Sequence, residues 1–353
     1  MRPVLAHTHP GLRPKCAVRV CRRHEKLSGS SGMNRGLFWR NLHAPTNRAR
    51  RKRAWRLTVS GCCVIYSERF DLLPRFIIYA LLALFLIGVA DYVYGRAVRN
   101  KILPGTITAS QSSIVVPITW VWAQLDGSYA WTPPAFWGIG AAFFTFIGFW
   151  SFMRSVELGE ASASTPIYRM SFVVTAMLAV WFLGESITLP KILGLVLTGC
   201  AIFLFSDFQR GSFSADKLAS VLWAVTAMVA VGLVNFIYKL GVSGGVSPIM
   251  FLHSQAVFFI TTAYIYSFAV QGGPKFSKKG WAHGLATAIC FIFGNTALLA
   301  AFREGEATIV SPIVQLSFIV TTILATWRLS EKMTVRKSLG LAAAVGTIIA
   351  FTQ

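Results

Sequence analysis

The chain contains two copies of a related sequence. Residues 159–205 align with residues 305–351 at a constant offset and without a gap, and roughly 20 of about 47 aligned positions are identical. Upstream, residues 91–111 align in the same way with residues 235–255. Shared apolar composition alone would not produce this agreement. The identical pairs include Pro166 with Pro312, Trp181 with Trp327, Glu185 with Glu331 and Gly194 with Gly340. The chain therefore consists of two related halves.

The composition indicates an integral membrane protein. Hydrophobic residues make up 54% of the chain and charged residues 13%, whereas a soluble domain carries about 25% charged residues. A run such as residues 76–90 lacks the alternation that a barrel strand needs, and a helix keeps its backbone hydrogen bonds internal. Ten apolar segments are long enough to cross a bilayer as helices: 75–95, 106–124, 134–153, 164–183, 188–206, 216–240, 248–270, 280–302, 307–328 and 334–352. We expect an all-α membrane protein with ten transmembrane helices, five in each half.

Most of the net charge of +21 lies before the first apolar segment. We predict a basic, disordered tail over residues 1–74, without an apolar stretch long enough for a signal peptide. Such a tail suits anionic lipid or nucleic acid, but we favour a mis-assigned start, with translation beginning at Met33 or near Leu73, and predict no nucleic-acid partner. The two halves then cover residues 75–206, with spans 1 to 5, and 207–353, with spans 6 to 10.

The number of spans in each half sets the topology. Because five is odd, the second half enters the membrane from the opposite side, which makes the repeat inverted, as in many secondary transporters. Lys and Arg are concentrated in the loops after spans 1, 3, 5, 7 and 9. The positive-inside rule makes those loops cytoplasmic and places both termini outside. The basic tail argues for the reverse orientation, which is a second reason to doubt its start.

The ends of spans 4 and 9 carry a family pattern. Both spans open on Gly-Glu-Ala and close on Gly-Glu or Ser-Glu, at 159–161 with 184–185 and at 305–307 with 330–331. Over about residues 75–353 the chain resembles the EamA-like branch of the drug/metabolite transporter superfamily. The resemblance implies a ten-helix carrier of small metabolites, often an exporter, that uses alternating access around a central cavity. Members commonly keep both termini in the cytoplasm, and the loop charges here depart from that pattern.

Two ionisable residues inside the spans are the main candidates for chemistry. Asp91 lies near the end of span 1 and Arg169 about one turn into span 4, toward the same membrane face, so we expect them to pair. Their repeat counterparts, Asn235 and Gln315, are both amides. Contact between spans 1 and 4, and between spans 6 and 9, would produce this joint change, because a lone buried charge is costly whereas two amides satisfy each other.

Two interpretations of these four positions are open. In one, they bind substrate or couple its transport: Arg169 binds an anionic group, and Asp91 is its counter-ion or a protonation site. In the other, the pair of Asp91 and Arg169 only ties two helices together.

Aromatic and basic residues nearby are further candidates. Tyr94 and Tyr238 lie one turn after the acid and its amide counterpart, where they form either a cavity wall or an interfacial anchor. Trp150 and Arg154 share a helix face at the end of span 3, where they could close a gate.

Other polar and small residues have structural interpretations. Glu160 and Glu306 open their helices, where a carboxylate complements the helix dipole. Glu185 and Glu331 lie in short turns and are predicted to cap spans 5 and 10. Small-residue stretches at 194–199 and 341–346 permit close helix packing. We favour packing within one chain over contact between the two copies of a homodimer.

The sequence contains no catalytic pattern of the phosphate-loop or HExxH type, and we predict neither an enzyme nor a cofactor. Cys16, Cys21 and His24 lack a fourth ligand at normal spacing, so we predict no metal site. Cys200 and Cys290 fall inside spans and are predicted to be free, buried thiols.

These features predict a secondary transporter in the cell (inner) membrane. Its partners would be the lipid bilayer and a small polar or amphiphilic metabolite, exported with proton coupling because the chain has no ATP-binding motif. Two alternatives stay open. One is a lipid-linked translocase or flippase, which would need a side opening between helices, and the other is a non-transporting scaffold or embedded enzyme.

Overall fold

The computed structural model describes residues 58–59, 62–63, 73–158, 161–205, 215–329 and 334–353. Two short strands, β1 (Thr58–Val59) and β2 (Cys62–Cys63), pair antiparallel and are a local exception to the predicted all-helical structure. The rest of the basic tail, with its cysteine and histidine cluster, lies outside the described residues.

Twelve α-helices lie in the described part of the chain from residue 73 onward. They are α1 (Arg75–Arg99), α2 (Pro104–Leu125), α3 (Trp137–Leu158), α4 (Ala161–Arg169), α5 (Ser171–Leu183), α6 (Leu189–Phe205), α7 (Ala215–Ser243), α8 (Pro248–Gln271), α9 (Lys278–Glu304), α10 (Ala307–Gln315), α11 (Phe318–Leu329) and α12 (Val335–Thr352). A 3₁₀ turn, Pro133–Phe136, leads into α3.

Eight helical stretches in the described residues are long and apolar enough to cross a membrane. Two of the eight combine a pair of helices, α4 with α5 and α10 with α11. Of the two remaining predicted spans, α6 is apolar but has only 17 residues. The other, α2, has 22 residues but is less hydrophobic, because threonine, serine and glutamine fill its first turns. The structure thus supports a multi-pass helical membrane protein, and the count of ten spans stays a prediction.

Spans 4 and 9 are broken at equivalent positions. Met170 separates α4 from α5, and Leu316 with Ser317 separates α10 from α11. The backbone N–H of Met170 donates to the carbonyl of Ile167 at 3.1 Å, and that of Leu316 donates to Ile313 at 3.1 Å. These bonds span three residues, as in a 3₁₀ turn, and each break lies four residues after the proline that both halves share. The same sequence thus breaks the same span in both halves.

The packing follows the repeat and joins the two halves throughout. The first helix of each half packs on the third helix of the other half, α1 on α9 and α7 on α3. The second helices pack on each other, as do the fifth helices, α2 on α8 and α6 on α12. The largest buried cluster is built mainly from α1 and from the helices of the second half, and includes Phe251, Leu299 and Phe302.

Each first helix also crosses the broken span of the other half at a glycine. A Cβ atom on Gly88 of α1 would lie 2.6 Å from Cβ of Val320, and the Thr321 hydroxyl donates to the Gly88 carbonyl at 2.8 Å. The second half repeats this contact, because Thr175 of α5 donates to the carbonyl of Gly232 on α7 at 3.1 Å. Small residues at such a crossing let two helix backbones approach closely.

The two intramembrane cysteines differ in exposure. Both are free, and Cys290 is buried as predicted, but Cys200 is exposed. The prediction for Cys200 was wrong because it assumed that a small apolar residue in a span faces the protein interior. Cys200 shares the outward surface of α6 with Val196 and Phe203.

The glycine crossing makes a testable prediction about stability. Gly88→Ala should destabilise the protein by about 1–3 kcal/mol, because the added methyl group overfills the contact with Val320. The control is Gly95→Ala on the same helix, where the nearest neighbouring atom lies 4.0 Å away, and alanine should stabilise the helix by up to about 1 kcal/mol. Melting of both variants in detergent micelles measures the difference. Equal melting temperatures would contradict the close crossing.

Candidate functional site

The structure brings Asp91 of α1 and Arg169 of α4 together. Nη2 of Arg169 donates to Oδ2 of Asp91 at 2.6 Å. Nη1 of the same guanidinium donates to the hydroxyl of Ser317 at 2.7 Å, at the break in span 9. The guanidinium therefore connects three spans, two from the first half and one from the second.

The two members of the pair differ in exposure. The side chain of Arg169 is 12% exposed and that of Asp91 38% exposed. Among the described residues no group accepts a hydrogen bond from the buried Nε of Arg169, whose guanidinium lies 5.8 Å from the centroid of the Tyr168 ring. An exposed carboxylate inside a span is stable only where water reaches it. This face of the pair therefore borders a water-accessible space.

Spans 6 and 9 are in contact, as predicted, but the two amides bond to serines and not to each other. Nδ2 of Asn235 donates to the hydroxyl of Ser311 at 3.3 Å, and Nε2 of Gln315 donates to the hydroxyl of Ser171 at 2.7 Å. Both amide residues are buried. A serine hydroxyl can bond to an amide as well as a second amide can, and in both cases a serine lies within hydrogen-bond distance of the amide.

The four residues at the breaks form a reciprocal arrangement. Arg169, the last residue of α4, binds Ser317, while its counterpart Gln315, the last residue of α10, binds Ser171. Ser171 and Ser317 are themselves counterparts in the repeat. The two breaks therefore hold each other across the halves. Sequence reasoning missed both serines, although their identity in the two halves was the available signal.

The two tyrosines have different surroundings. Tyr94 is partly buried, and its hydroxyl donates to the carbonyl of Pro104 at the start of α2, 3.2 Å away. Tyr238 is buried, and its hydroxyl donates to Oε1 of Gln255 at 2.9 Å. Its ring meets Phe251 edge-on. Tyr238 thus packs inside the protein in this conformation.

Trp150 and Arg154 contact each other near the end of α3. The guanidinium of Arg154 lies 5.9 Å from the centroid of the Trp150 ring and donates to Glu157 at 2.9 Å. Trp150 also meets Tyr266 of α8 edge-on at 5.5 Å. Both side chains of the ion pair with Glu157 are more than half exposed, so this pair contributes little to stability.

Glu185 caps a helix of the other half. Its Oε1 accepts from the N–H of Ala307 at 2.7 Å and its Oε2 from the N–H of Thr308 at 2.9 Å, at the start of α10. The prediction that Glu185 caps span 5 was therefore wrong, because the loop after α5 lies nearer the start of α10 than sequence distance suggests. Glu331, its counterpart, lies outside the described residues, as does Glu160.

Two lysines bind the adjoining ends of α9 and α10. Glu306 is the N-cap of α10, where it was predicted to open the helix, and its carboxylate pairs with the amine of the buried Lys191. The amine of Lys239 donates to the carbonyls of Phe302 and Gly305, each at 2.7 Å, at the end of α9. A cation at a helix C-terminus and a carboxylate at an N-terminus both complement the helix dipole.

An apolar groove of about 370 Å³ runs between α5 and α6 and opens on the outer surface. Apart from Lys191 and Thr308 its side chains are apolar. They include Met170, Val173, Met177, Trp181, Leu195 and Val196. Met170 is the residue at the break, so the groove reaches the break in span 4.

Comparisons with known proteins address the whole membrane part. A family model described as the EamA-like transporter family matches residues 74–207 and again 218–353. Among solved structures 29 chains match, and one of them, described only as a crystal structure of a protein, has a TM-score of 0.65 and 13% sequence identity. The match covers 78% of this chain and 96% of the other, which at this identity shows the fold alone. No curated protein matches the sequence.

The geometry of the ion pair makes a prediction about coupling between its members. Asp91→Asn and Arg169→Gln should each destabilise the protein by about 1–3 kcal/mol, less than for a fully buried pair because Asp91 is 38% exposed. The double variant carries the residues of the second half and should recover most of that loss, because neither charge is left alone. Unfolding of the four proteins in a denaturing detergent gives the coupling energy. Additive effects would contradict the contact.

Proposed function

The chain belongs to the EamA-like transporter family, and from this premise we propose that it is a secondary transporter of a small polar or amphiphilic metabolite. It works by alternating access in the cell (inner) membrane and exports its substrate from the cytoplasm. Protons are the proposed coupling ion, with Asp91 as the exposed carboxylate that carries them. The role is transport and not catalysis.

The proposal includes ten spans in an inverted repeat. Helices α2 and α6 complete the count, since each lies between two stretches that are long enough to cross the membrane. We call the end at which α1 begins end A and the end at which it finishes end B. Most basic residues of the loops lie at end B, so end B is the cytoplasmic end.

The observation that carries the proposal is that equivalent positions in the two halves differ in exposure. Thr165 of α4 is partly exposed, whereas its counterpart Ser311 of α10 is 1% exposed. Asn235 and Gln315 are buried, while Asp91 is 38% exposed. The conformation is therefore open around α4, toward end B, and closed around α10, toward end A. Two halves of related sequence can exchange these environments, which is what alternating access requires.

The reciprocal contacts at the breaks supply an element that can switch. Ser171 and Ser317 each accept a hydrogen bond from the other half, so a shift of one broken span pulls on the other. Short helices on either side of a break move as rigid pieces, and the break absorbs the change in backbone angle.

A second candidate function is supported by the apolar groove. A flippase needs a side opening through which a lipid tail stays in hydrocarbon while its headgroup crosses, and the groove between α5 and α6 opens outward beside the break. A lipid-linked substrate would place its tail there and its headgroup near Arg169.

Cysteine labelling tests alternating access. In a background with all six cysteines replaced, Thr165→Cys should react with a membrane-impermeant maleimide added at end B. Ser311→Cys should react only when the reagent is added at end A, at least about tenfold more slowly, because the state open at end A is the minor one. Right-side-out and inverted vesicles present the two ends separately.

The control keeps only the buried native Cys290, which should stay unlabelled from both ends. A scaffold that does not alternate would label at Thr165→Cys alone. Absence of labelling at Ser311→Cys from either end would therefore overturn the proposed function.

A further inference from the structure

We propose that Arg169 is the binding group for an anionic substrate, and that a carboxylate or phosphate of the substrate takes the place of Asp91 on the guanidinium. The inference rests on the proposed function and names the substrate class of that transporter. It would make the ion pair an internal stand-in for the bound substrate.

The hydrogen bonding of the guanidinium is incomplete. Asp91 accepts at one oxygen from one nitrogen, Ser317 accepts from a second nitrogen, and among the described residues nothing accepts from the buried Nε. A guanidinium presents five donors in a planar fork that matches a carboxylate or phosphate with two parallel bonds. A buried donor without a partner is costly, so it calls for an explanation other than helix packing. An incoming anion can supply the missing acceptor.

Water reaches the site from the side of Asp91. Its carboxylate is 38% exposed, and the neighbouring guanidinium 12% exposed. The carboxylate can therefore turn into solvent when an anion displaces it, whereas Arg169 stays anchored by Ser317. A purely structural ion pair in a membrane would be expected to bury both partners.

Charge at end B, where the mouth of the proposed site would lie, favours the same class of substrate. Among the side chains that the structure describes at end B, basic residues outnumber acidic ones. The basic residues are Arg96, Arg99, Lys101, Arg154, Lys217, Lys275, Lys278, Lys279, Arg336 and Lys337, and the acidic ones are Asp91, Glu157 and Asp216. A mouth of one sign raises the local concentration of ions of the other sign, so anions are drawn toward Arg169.

The second half shows what the site looks like without this role. Asn235 and Gln315 are buried and bind neutral serine hydroxyls, so neither position holds a charge or faces solvent. The helices pack in the same way in both halves. Packing alone thus does not require the charges, and their retention on one side points to a charged ligand.

The anionic group has two sources that share one chemistry. It is either a soluble carboxylate or phosphate that enters through the mouth, or the phosphate of a lipid whose tail lies in the groove that starts at Met170. Both would replace Asp91 on the same guanidinium, so the experiment has to separate them.

Thermal melting of the full-length protein in neutral detergent tests the inference. The probes are inorganic phosphate, acetate and succinate, with acetamide as the neutral analogue and choline as a cation, all at fixed ionic strength. Anions should raise the melting temperature, because a ligand of the folded state stabilises it. Arg169→Gln should weaken the apparent affinity for the anion, read from the concentration dependence of the melting temperature, at least about tenfold. Asp91→Asn removes the internal competitor and should strengthen that affinity about tenfold.

The double variant Asp91→Asn with Arg169→Gln guards against misfolding of the single variants, and it should melt as a folded protein that ignores anions. Arg75→Gln neutralises an exposed charge at the start of α1, at end A and away from the mouth, and should respond like the unaltered protein. Nanodiscs with and without phosphatidylglycerol form the lipid arm. A response to that lipid alone, lost in Arg169→Gln, would support the inference with lipid as the source.

Three results would overturn the inference: an equal anion response in Arg169→Gln, an equal loss in Arg75→Gln, or no response to any soluble anion or anionic lipid. Stabilisation by choline or acetamide, unchanged in Arg169→Gln, would also exclude an anionic substrate. The labelling of Ser311→Cys from end A is independent of these readings. If that labelling occurs, the transporter stands and only its substrate class changes.

Discussion

A membrane interior offers no hydrogen-bond partner to a free backbone amide or carbonyl, so every interruption of a spanning helix must be satisfied by the protein itself. This chain breaks its fourth span in both halves, bonds the backbone groups at each break within the same span, and ties each break to the other half through side chains. Hydroxyls of Ser171 and Ser317 accept from side chains at the opposite break, and Thr175 and Thr321 donate to glycine carbonyls on the first helix of the other half. Glu185 accepts from the first N–H groups of α10. The two halves are therefore interlocked, and a movement of one half must change the contacts of the other.

Much of this arrangement follows from the sequence because the repeat supplies an internal comparison. The membrane class, the related halves, eight of the ten helical spans and the contact of Asp91 with Arg169 were all predictable. The contact was predictable because acid and base change together to amides in the second half. Loss of one charge alone would leave its partner unpaired in hydrocarbon, so the two positions change together. The break was foreshadowed only by the shared prolines.

The remaining contacts were hidden because they join residues that are far apart in the chain and carry no unusual signal. Serine is common in membrane helices and bonds to many partners, so the identity of Ser171 and Ser317 in the two halves did not by itself mark them as partners of an amide or a guanidinium. Glu185 was assigned to its own turn because nearness in sequence was the only guide, whereas the interlocked halves bring it to α10. The prediction that Cys200 is buried failed because a helix of small and apolar residues has no polar face that shows which side is exposed.

The unequal halves bear on how the two conformations differ in energy. If both halves carried the same side chains, the states open at end A and at end B would be related by the repeat and nearly equal in energy. The pair of Asp91 and Arg169 removes that balance. In the conformation described here its carboxylate is exposed, whereas the amides that correspond to it are buried and bonded to serines. Closing end B would bury the two charges, and opening end A would expose the two amides, which gain less from water than charges do. The state open at end B would therefore be favoured without substrate. An anion that takes the place of Asp91 keeps Arg169 paired while end B closes, and this is how substrate would make the other state accessible.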